Sequence, residues 1–392
     1  MQASNLKDFL SNVYKTSTGW RKRFDEANVH PNDIKDEMDL MKLPILKKSD
    51  LPSIQGEALP FGSLTKDNHK VSRIFMSPGP IYDPQTSDTD HWRFREALLA
   101  AGFTKEDIVQ NTFSYHLTPA GFMFDNALRE IGATVIPAGT GNTDLQIQAM
   151  KDCSVTGFVG TPSYLWTILE AAKEKGITVG NGLNLKKAFF TAEFLPNTLR
   201  EKFEAMGIAV SQGYGTADAG CIGYEVIGEI GLKVSSSIIV QICNPANEEI
   251  ITDSTPGEVV VTVLDENYPL IRFGTGDLSA WETGKTGDYL KGVLGRVADG
   301  IKVKGMFIHQ KHLDDVFNME NDVSYYQAVV SEKDHRDHFV IYVEADHEKP
   351  QLQQKLKEVI RIKANIEYVP KNSLNRNEKQ FQDRREYFTT AK

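Results

Sequence analysis

The chain has 392 residues, enough for two or three domains at roughly 100–200 residues each. Its formal charge is 44 − 53 = −9, which gives no global positive field for nucleic acid, and 40% hydrophobic with 25% charged residues fits a folded chain rather than a disordered one. No run approaches about 18 apolar residues, Met1 to Trp20 lacks the apolar core of a signal peptide, and the scattered Cys153, Cys221 and Cys243 make neither a disulfide framework nor a thiolate zinc site. The expectation is a cytoplasmic multidomain protein with no nucleic-acid or membrane partner.

Leu6, Phe9, Leu10 and Val13 recur at helical spacing, and the stretch from Leu43 through Pro44 to Leu51 is a proline-punctuated connector. Helices are predicted over Asp90–Ala101, stopped by Gly102, and over Phe122–Ile131. Strand and helix then alternate. Strands are predicted at Ala133–Pro137, Thr156–Gly160, Lys187–Thr191 and Ile208–Ser211, and helices at Thr143–Lys151, Ser163–Lys175 and Pro196–Met206. This order argues for layered α/β structure with parallel pairing.

After Gly220 the β-rich runs Ile238–Cys243, Gly257–Leu264 and Leu270–Phe273 point to a mainly antiparallel β subdomain. After Gly295 come a hairpin (Gly300–Ile308), a helix (Gln310–Phe317), two strands (Tyr325–Val330 and His338–Glu344) and a helix (Gln351–Ile362). The fold class is therefore α/β. A large N-terminal domain of layered α/β sheets, residues 1–295 with a β-rich part at about 221–295, precedes a small mobile α+β domain, residues 296–392.

Glycine-bearing clusters mark the places where chemistry is expected. The first runs from Phe75 through Ser77, Pro78 and Gly79 to Asp83 and Pro84, where a hydroxyl and backbone N–H groups can meet phosphate. The second is Ser211-Gln212-Gly213-Tyr214-Gly215-Thr216-Ala217-Asp218-Ala219-Gly220, offering an aromatic face for a purine, a hydroxyl for phosphate and a carboxylate for Mg²⁺. The third, Ile271 to Leu278, carries Asp277 between glycines, suited to ribose hydroxyls. The fourth, Gly295 to Gly305, carries Arg296 and Lys302 at the domain boundary. Read singly, each is equally an ordinary turn, interdomain loop or basic hairpin.

In this order the clusters resemble the phenylacetate-coenzyme A ligase group of adenylate-forming enzymes. The likeness runs from Leu43-Pro44-Ile45 and Pro60-Phe61-Gly62, through Ile131-Gly132-Ala133-Thr134-Val135-Ile136-Pro137 and Gly160-Thr161-Pro162-Ser163-Tyr164, to Thr191-Ala192-Glu193. "GYGTADAG", "RFGTGDL" and "GRVADGIKVKG" follow in family order. The resemblance implies activation of an aryl or arylacetic carboxylic acid with ATP through an acyl-adenylate, then thioester formation with coenzyme A. It implies ATP/AMP, Mg²⁺ and coenzyme A as ligands, and suggests a homodimer.

Carried over by position, Ser77 and Gly79 serve the phosphate loop, and Ala192, Glu193, Gly213, Tyr214 and Gly215 the adenine region. Thr216 meets the α-phosphate, Asp218 holds the metal, and Asp277, Arg296 and Lys302 bind the nucleotide. Tyr115, His116 and Phe122 line the acyl pocket, where aromatic density suits a flat acid. The chain also departs from the family. Its phosphate loop is proline-rich with an added Asp83, Asp218 replaces the usual Glu, Ala298 stands at the hinge, and the C-terminal lysine motif is altered. Lys379 is the candidate catalytic lysine and Lys371 the reserve. These departures motivate two alternatives: an adenylating enzyme of a secondary-metabolite pathway without coenzyme A as acceptor, and a nucleotide-binding pseudoenzyme.

Overall fold

A computed structural model describes residues 3–385, apart from 78–79, 88, 298–299, 304–305, 321, 334–335 and 361. The chain forms two compact units. The first comprises residues 1–243, 249–275 and 279–293, and the second residues 244–248, 276–278 and 294–392. No described helix is long and apolar enough to cross a membrane.

An eight-stranded sheet organises the first unit. Its order is Tyr289–Leu290, Leu232–Val234, Gly220–Glu225, Ala209–Thr216, Lys187–Phe190, Gly157–Gly160, Ile108–Asn111 and Thr134–Pro137. Neighbours from Ala209–Thr216 to Thr134–Pro137 run parallel, and those from Gly220–Glu225 outward antiparallel. Both faces are covered, as parallel strands require. Phe189 packs with Phe94, Phe113 and Phe124, while its neighbour Phe190 packs with Phe158, Leu165, Ile168 and Phe203. Adjacent residues of one strand thus anchor two separate cores, because successive side chains point to opposite faces.

The second sheet of this unit has the order Leu46–Lys47, Leu270–Ser279, Gly257–Val263, Ile238–Cys243 and Ile250–Ile251. Leu46–Lys47 runs parallel to Phe273–Gly274. The buried Arg272 holds the approach to it, donating from Nη1 to the Leu43 carbonyl at 2.6 Å and the Met41 carbonyl at 3.2 Å. The run 221–295 is thus shared between two sheets rather than forming one β body.

Three local expectations change. The helix begins at Arg95, because Asp90 accepts from the backbone N–H groups of Phe94 and Arg95 and holds the preceding turn outside it. The first cluster is a hairpin of Arg73–Ser77 and Ile81–Gln85, so Asp83 and Pro84 lie in a strand. The "GYG" and "RFGTGD" segments are not loops but parts of Ala209–Thr216 and Leu270–Ser279. Their glycines admit close neighbours: a Cβ at Gly215 would stand 2.5 Å from the Gly220 carbonyl oxygen. Pairing overrides the local preference for a turn.

The second unit has a four-stranded sheet in the order Asn365–Val369, Arg336–Ala345, Val323–Lys333 and Phe381–Asp383, with helices Gln310–Phe317 and Leu352–Ile360. Leu313, Phe317, Tyr326, Ile341, Leu356 and Phe381 are in its core. The two short strands missing from the sequence reading, Asn365–Val369 and Phe381–Asp383, are mostly half-exposed edges with little apolar signal. One ion pair fastens the loop before the last strand. Arg376 donates from Nη1 and Nη2 to the two oxygens of the buried Glu344 at 2.8 and 2.7 Å, and its guanidinium lies 3.9 Å from the Tyr325 ring centroid.

The hydrogen bonds from Arg376 hold Glu344 down at about 2, below its usual 4.5. A carboxylate with a lowered folded pKa stabilises the fold above the unfolded value and loses that contribution as pH falls through the folded one. Arg376→Met should therefore melt earlier than the wild type at pH 7, with the gap closing between pH 4.5 and 2. Circular-dichroism melts across that range check this, and a gap of constant size would count against it.

Candidate active site

The strand Ala209–Thr216 turns at residues 217–219 and returns as Gly220–Glu225. Trp92 and Arg93 clamp this turn. The Trp92 indole donates to the Ala217 carbonyl at 3.2 Å, the Arg93 guanidinium donates to the Ala219 carbonyl, and the Cys221 N–H donates to the Trp92 carbonyl at 2.8 Å. Within the turn, Thr216 Oγ1 accepts from the Ala219 N–H at 3.0 Å. Gly220 has φ +70°, and a Cβ there would lie 2.5 Å from the Trp92 carbonyl oxygen. The turn accepts no side chain at that position.

Beside the turn lies a cavity of about 140 Å³. Phe94, Phe113, Met123 and Phe124 give it apolar walls, and Thr191, Ala192, Gly215 and Thr216 line it as well. Ala120, Met123 and Phe124 reach it from one helix, Ala120–Ile131, because positions i, i+3 and i+4 share a face. The aromatic walls touch one another: Phe94 and Phe124 have ring centroids 4.4 Å apart, and Phe113 stacks on Phe124 at 5.0 Å. Ala192 adopts φ +68°, a left-handed conformation uncommon outside glycine. Its neighbour Glu193 accepts from the Ser163 N–H at 3.4 Å, at the start of the helix Pro162–Glu174.

The residues expected to line the acyl pocket do not line this cavity. Phe122 belongs to another face of its helix, where it meets Phe75 at 5.4 Å and Tyr115 edge-on at 5.1 Å. The Tyr115 hydroxyl accepts from the Asn111 amide at 2.8 Å, and burial pushes its pKa up. His116 is exposed. Phe94, Phe113, Met123 and Phe124 were within reach of the helical spacing in the sequence; the contact between Phe94 and that helix was not.

Next to the turn is a buried acidic cluster. Asp218, whose side chain is fully buried, accepts at Oδ2 from the Lys48 ammonium at 2.6 Å. Asp83 is 2% exposed, and neither of its oxygens has a partner among the described residues. Burial first, and then the charge of Asp218, push Asp83 up to about 7. Asp218 Oδ1 and the Tyr268 hydroxyl are also buried and unpartnered. Divalent cations such as Mg²⁺ take oxygen ligands, and Asp218 Oδ1 fits that requirement. Ser77 is buried and its hydroxyl donates to the Ile81 carbonyl at 3.5 Å; Gly79 lies outside the described residues.

The remaining candidates are dispersed. Tyr214 is 7% exposed within the core, and its hydroxyl donates to Thr275 Oγ1 at 3.3 Å, so the ring is packed rather than open for stacking. Gly213 lies beneath the Phe189 ring, 2.6 Å from where its Cβ would stand. Asp277 and Arg296 face each other across a strand pair in the second unit, with Arg296 Nε 3.3 Å from Asp277 Oδ1. The Lys302 backbone belongs to the hairpin strand Gly300–Val303, and its side chain lies outside the described residues. Lys379 is exposed, and its ammonium has no partner among the described residues. Lys371 is paired with Asp346 at 2.5 Å.

No family model matches the chain. Comparison with curated proteins finds the phenylacetate-coenzyme A ligase of Escherichia coli (strain K12), 27% identical over 96% of this chain and 92% of the relative. A phenylacetate-coenzyme A ligase of Aromatoleum evansii is 28% identical over 89% and 82%. The chain is a phenylacetate-coenzyme A ligase-like member of the adenylate-forming superfamily. Its fold matches that of 2-hydroxyisobutyryl-CoA ligase, solved in an open conformation with 2-HIB-AMP and CoA, with a TM-score of 0.82 at 20% identity over 97% of this chain and 90% of the other. ATP-bound MatB from Rhodopseudomonas palustris shares the fold at a TM-score of 0.51 and 14% identity, over 79% and 67%. For this ligase-like chain, the turn at residues 217–219 is the structural centre of the site.

Gly220→Ala should therefore cost more stability than Gly207→Ala. Both glycines have positive φ, +70° and +81°, but nothing lies within 4 Å of a Cβ at Gly207. The backbone penalty alone is roughly 1 kcal/mol, so a larger drop in Tm at Gly220 reports the clash with Trp92. Equal drops would show that the turn can move aside.

Proposed function

We propose that this chain activates an aryl or arylacetic acid with ATP and passes the acyl group to the thiol of coenzyme A. The observation that carries this reading is the aromatic-walled cavity bordered by Thr216 and Ala192. Its volume of about 140 Å³ is close to the roughly 150 Å³ of an apolar cavity that takes a benzene ring. Phe94, Phe113 and Phe124 hold the ring of the acid by stacking and edge contacts. The hydroxyls of Thr191 and Thr216 receive its polar end. The relatives named above, which are phenylacetate-coenzyme A ligases, support the same class of substrate.

In the first step a carboxylate oxygen of the acid forms a bond to the α-phosphorus of ATP, and the bond to pyrophosphate breaks. In the second the sulfur of coenzyme A bonds to the acyl carbon, the acyl–phosphate bond breaks, AMP leaves and the thiol proton is released. Thr216 orients the α-phosphate, Asp277 and Arg296 hold the ribose, and Lys379 offsets charge developing at phosphorus. Asp218 holds Mg²⁺, which supplies charge neutralisation to the phosphates when bound. The cytoplasm is the compartment proposed for this chemistry and a homodimer its proposed assembly.

Incubation with ATP, Mg²⁺ and a panel of aromatic acids should release pyrophosphate, and added coenzyme A should convert the product to thioester. Trapped acyl-adenylate without thioester would instead favour the secondary-metabolite reading, and nucleotide binding without release for any acid the pseudoenzyme. Met123→Trp, which fills the cavity, should raise KM for the acid at least tenfold while AMP affinity stays unchanged; an unaltered KM would place the acid elsewhere.

Asp277→Ala should weaken AMP binding at least tenfold, as lost hydrogen bonds to a charged group predict, and Lys379→Ala should slow pyrophosphate release. Calorimetry and single-turnover kinetics read the two. Unchanged AMP affinity would remove Asp277 from the ribose site, and an unchanged rate would remove Lys379 from catalysis.

A further inference from the structure

The first cluster of the sequence carries an acid where a phosphate-binding hairpin is expected, and the fold buries that acid. Asp83 lies in the strand Ile81–Gln85, opposite Phe75, at 2% exposure. A buried carboxylate without hydrogen bonds is costly, and a second one beside it more so. Asp218 is that second carboxylate. Lys48 neutralises one of its oxygens and leaves Oδ1 bare. Opposite both stands Tyr268, 3% exposed, with an unpartnered hydroxyl. Asp83 and Asp218 are the two charges that act on this hydroxyl, which places all three groups around one locus.

Two carboxylates, one lysine and a neutral phenol leave a net charge of −1. Four buried oxygen atoms converge with no donor to satisfy them: both of Asp83, Oδ1 of Asp218 and the Tyr268 hydroxyl. Such an arrangement suits a hard divalent cation, which takes oxygen ligands and favours carboxylates. It suits an anion badly, because Asp83 faces the place where a phosphate of the nucleotide is expected.

We infer that Asp83 and Asp218, with the Tyr268 hydroxyl, form a divalent-cation site that binds its ion without nucleotide, and that the Lys48 ammonium is the internal cation competing for it. The inference rests on the adenylate-forming reading for the role of the ion but not for its binding. A site of this kind makes up for the proline-rich loop, since an ion already seated beside the hairpin offers the phosphates the charge that the loop's missing N–H groups do not. Lys48, one-third exposed at its side chain, swings away as the ion enters.

The test uses Mn²⁺ with the full-length, metal-stripped protein and no nucleotide, read by the loss of the free-ion paramagnetic resonance signal. The wild type should bind Mn²⁺. Asp83→Asn, which keeps the shape and removes a buried charge, should bind about tenfold more weakly or worse, the scale on which altered metal surroundings change affinity. Lys48→Met should bind more tightly, because its competing charge is gone. No binding by the wild type, or an Asp83→Asn affinity equal to wild type, overturns the inference. A Lys48→Met affinity no greater than wild type overturns the competition. AMP binding is measured on the same samples, with circular dichroism as the check on folding. Mn²⁺ binding with no AMP binding would defeat the nucleotide reading and leave this site standing. AMP binding with no Mn²⁺ binding would do the reverse.

Discussion

A carboxylate taken wholly out of water must find a cation, and in this chain Asp218 finds Lys48 at 2.6 Å. Much of the first unit is arranged to make that meeting happen. Arg272 grips the backbone at Met41 and Leu43, and Leu46–Lys47 pairs with Phe273–Gly274. Lys48 therefore follows directly from a strand whose register is fixed. On the other side Trp92 and Arg93 hold the turn that presents Asp218. Neither anchor is itself part of the chemistry, yet moving either would leave a buried charge alone.

The cavity depends on a different constraint, the covering of both faces of a parallel sheet. Phe189 faces the same aromatic cluster as Phe94, Phe113 and Phe124. Part of that cluster remains unfilled, and the unfilled part opens beside Thr216. A cavity framed by core aromatics has walls fixed by the packing of the whole sheet. The left-handed Ala192 adds a second fixed element, since a non-glycine residue keeps that conformation only when its surroundings hold it there.

The sequence disclosed the alternation of strands and helices well, because Phe158, Leu165, Ile168 and Phe190 repeat with the periods that two-sided burial imposes. It disclosed the C-terminal helices for the same reason. It misled at the glycine-rich motifs: Gly213, Gly215 and Gly274 read as turn residues, whereas they lie in strands where neighbours approach too closely for a Cβ. Tyr214, legible as an exposed face, is a core ring. Asp83 was visible only as an intruder in a phosphate loop, and nothing local announces its burial or its proximity to Asp218. Lys48 carried no signal at all, because a surface lysine and a buried counter-ion look alike until a partner 170 residues away is placed beside it.

That separation has a bearing on how the protein is made. The ribosome delivers Lys48 early and Asp218 only much later, at about 5–20 residues each second, so the lysine waits many seconds for its carboxylate. The register of its strand waits longer still, for Phe273. Contacts of such long range close late in folding, after the loop entropy between them has been overcome. A nascent or interrupted chain thus carries the turn without its counter-ion. The hot centre of the enzyme is among its last parts to be assembled, and its completion is a checkpoint on the integrity of the whole N-terminal unit.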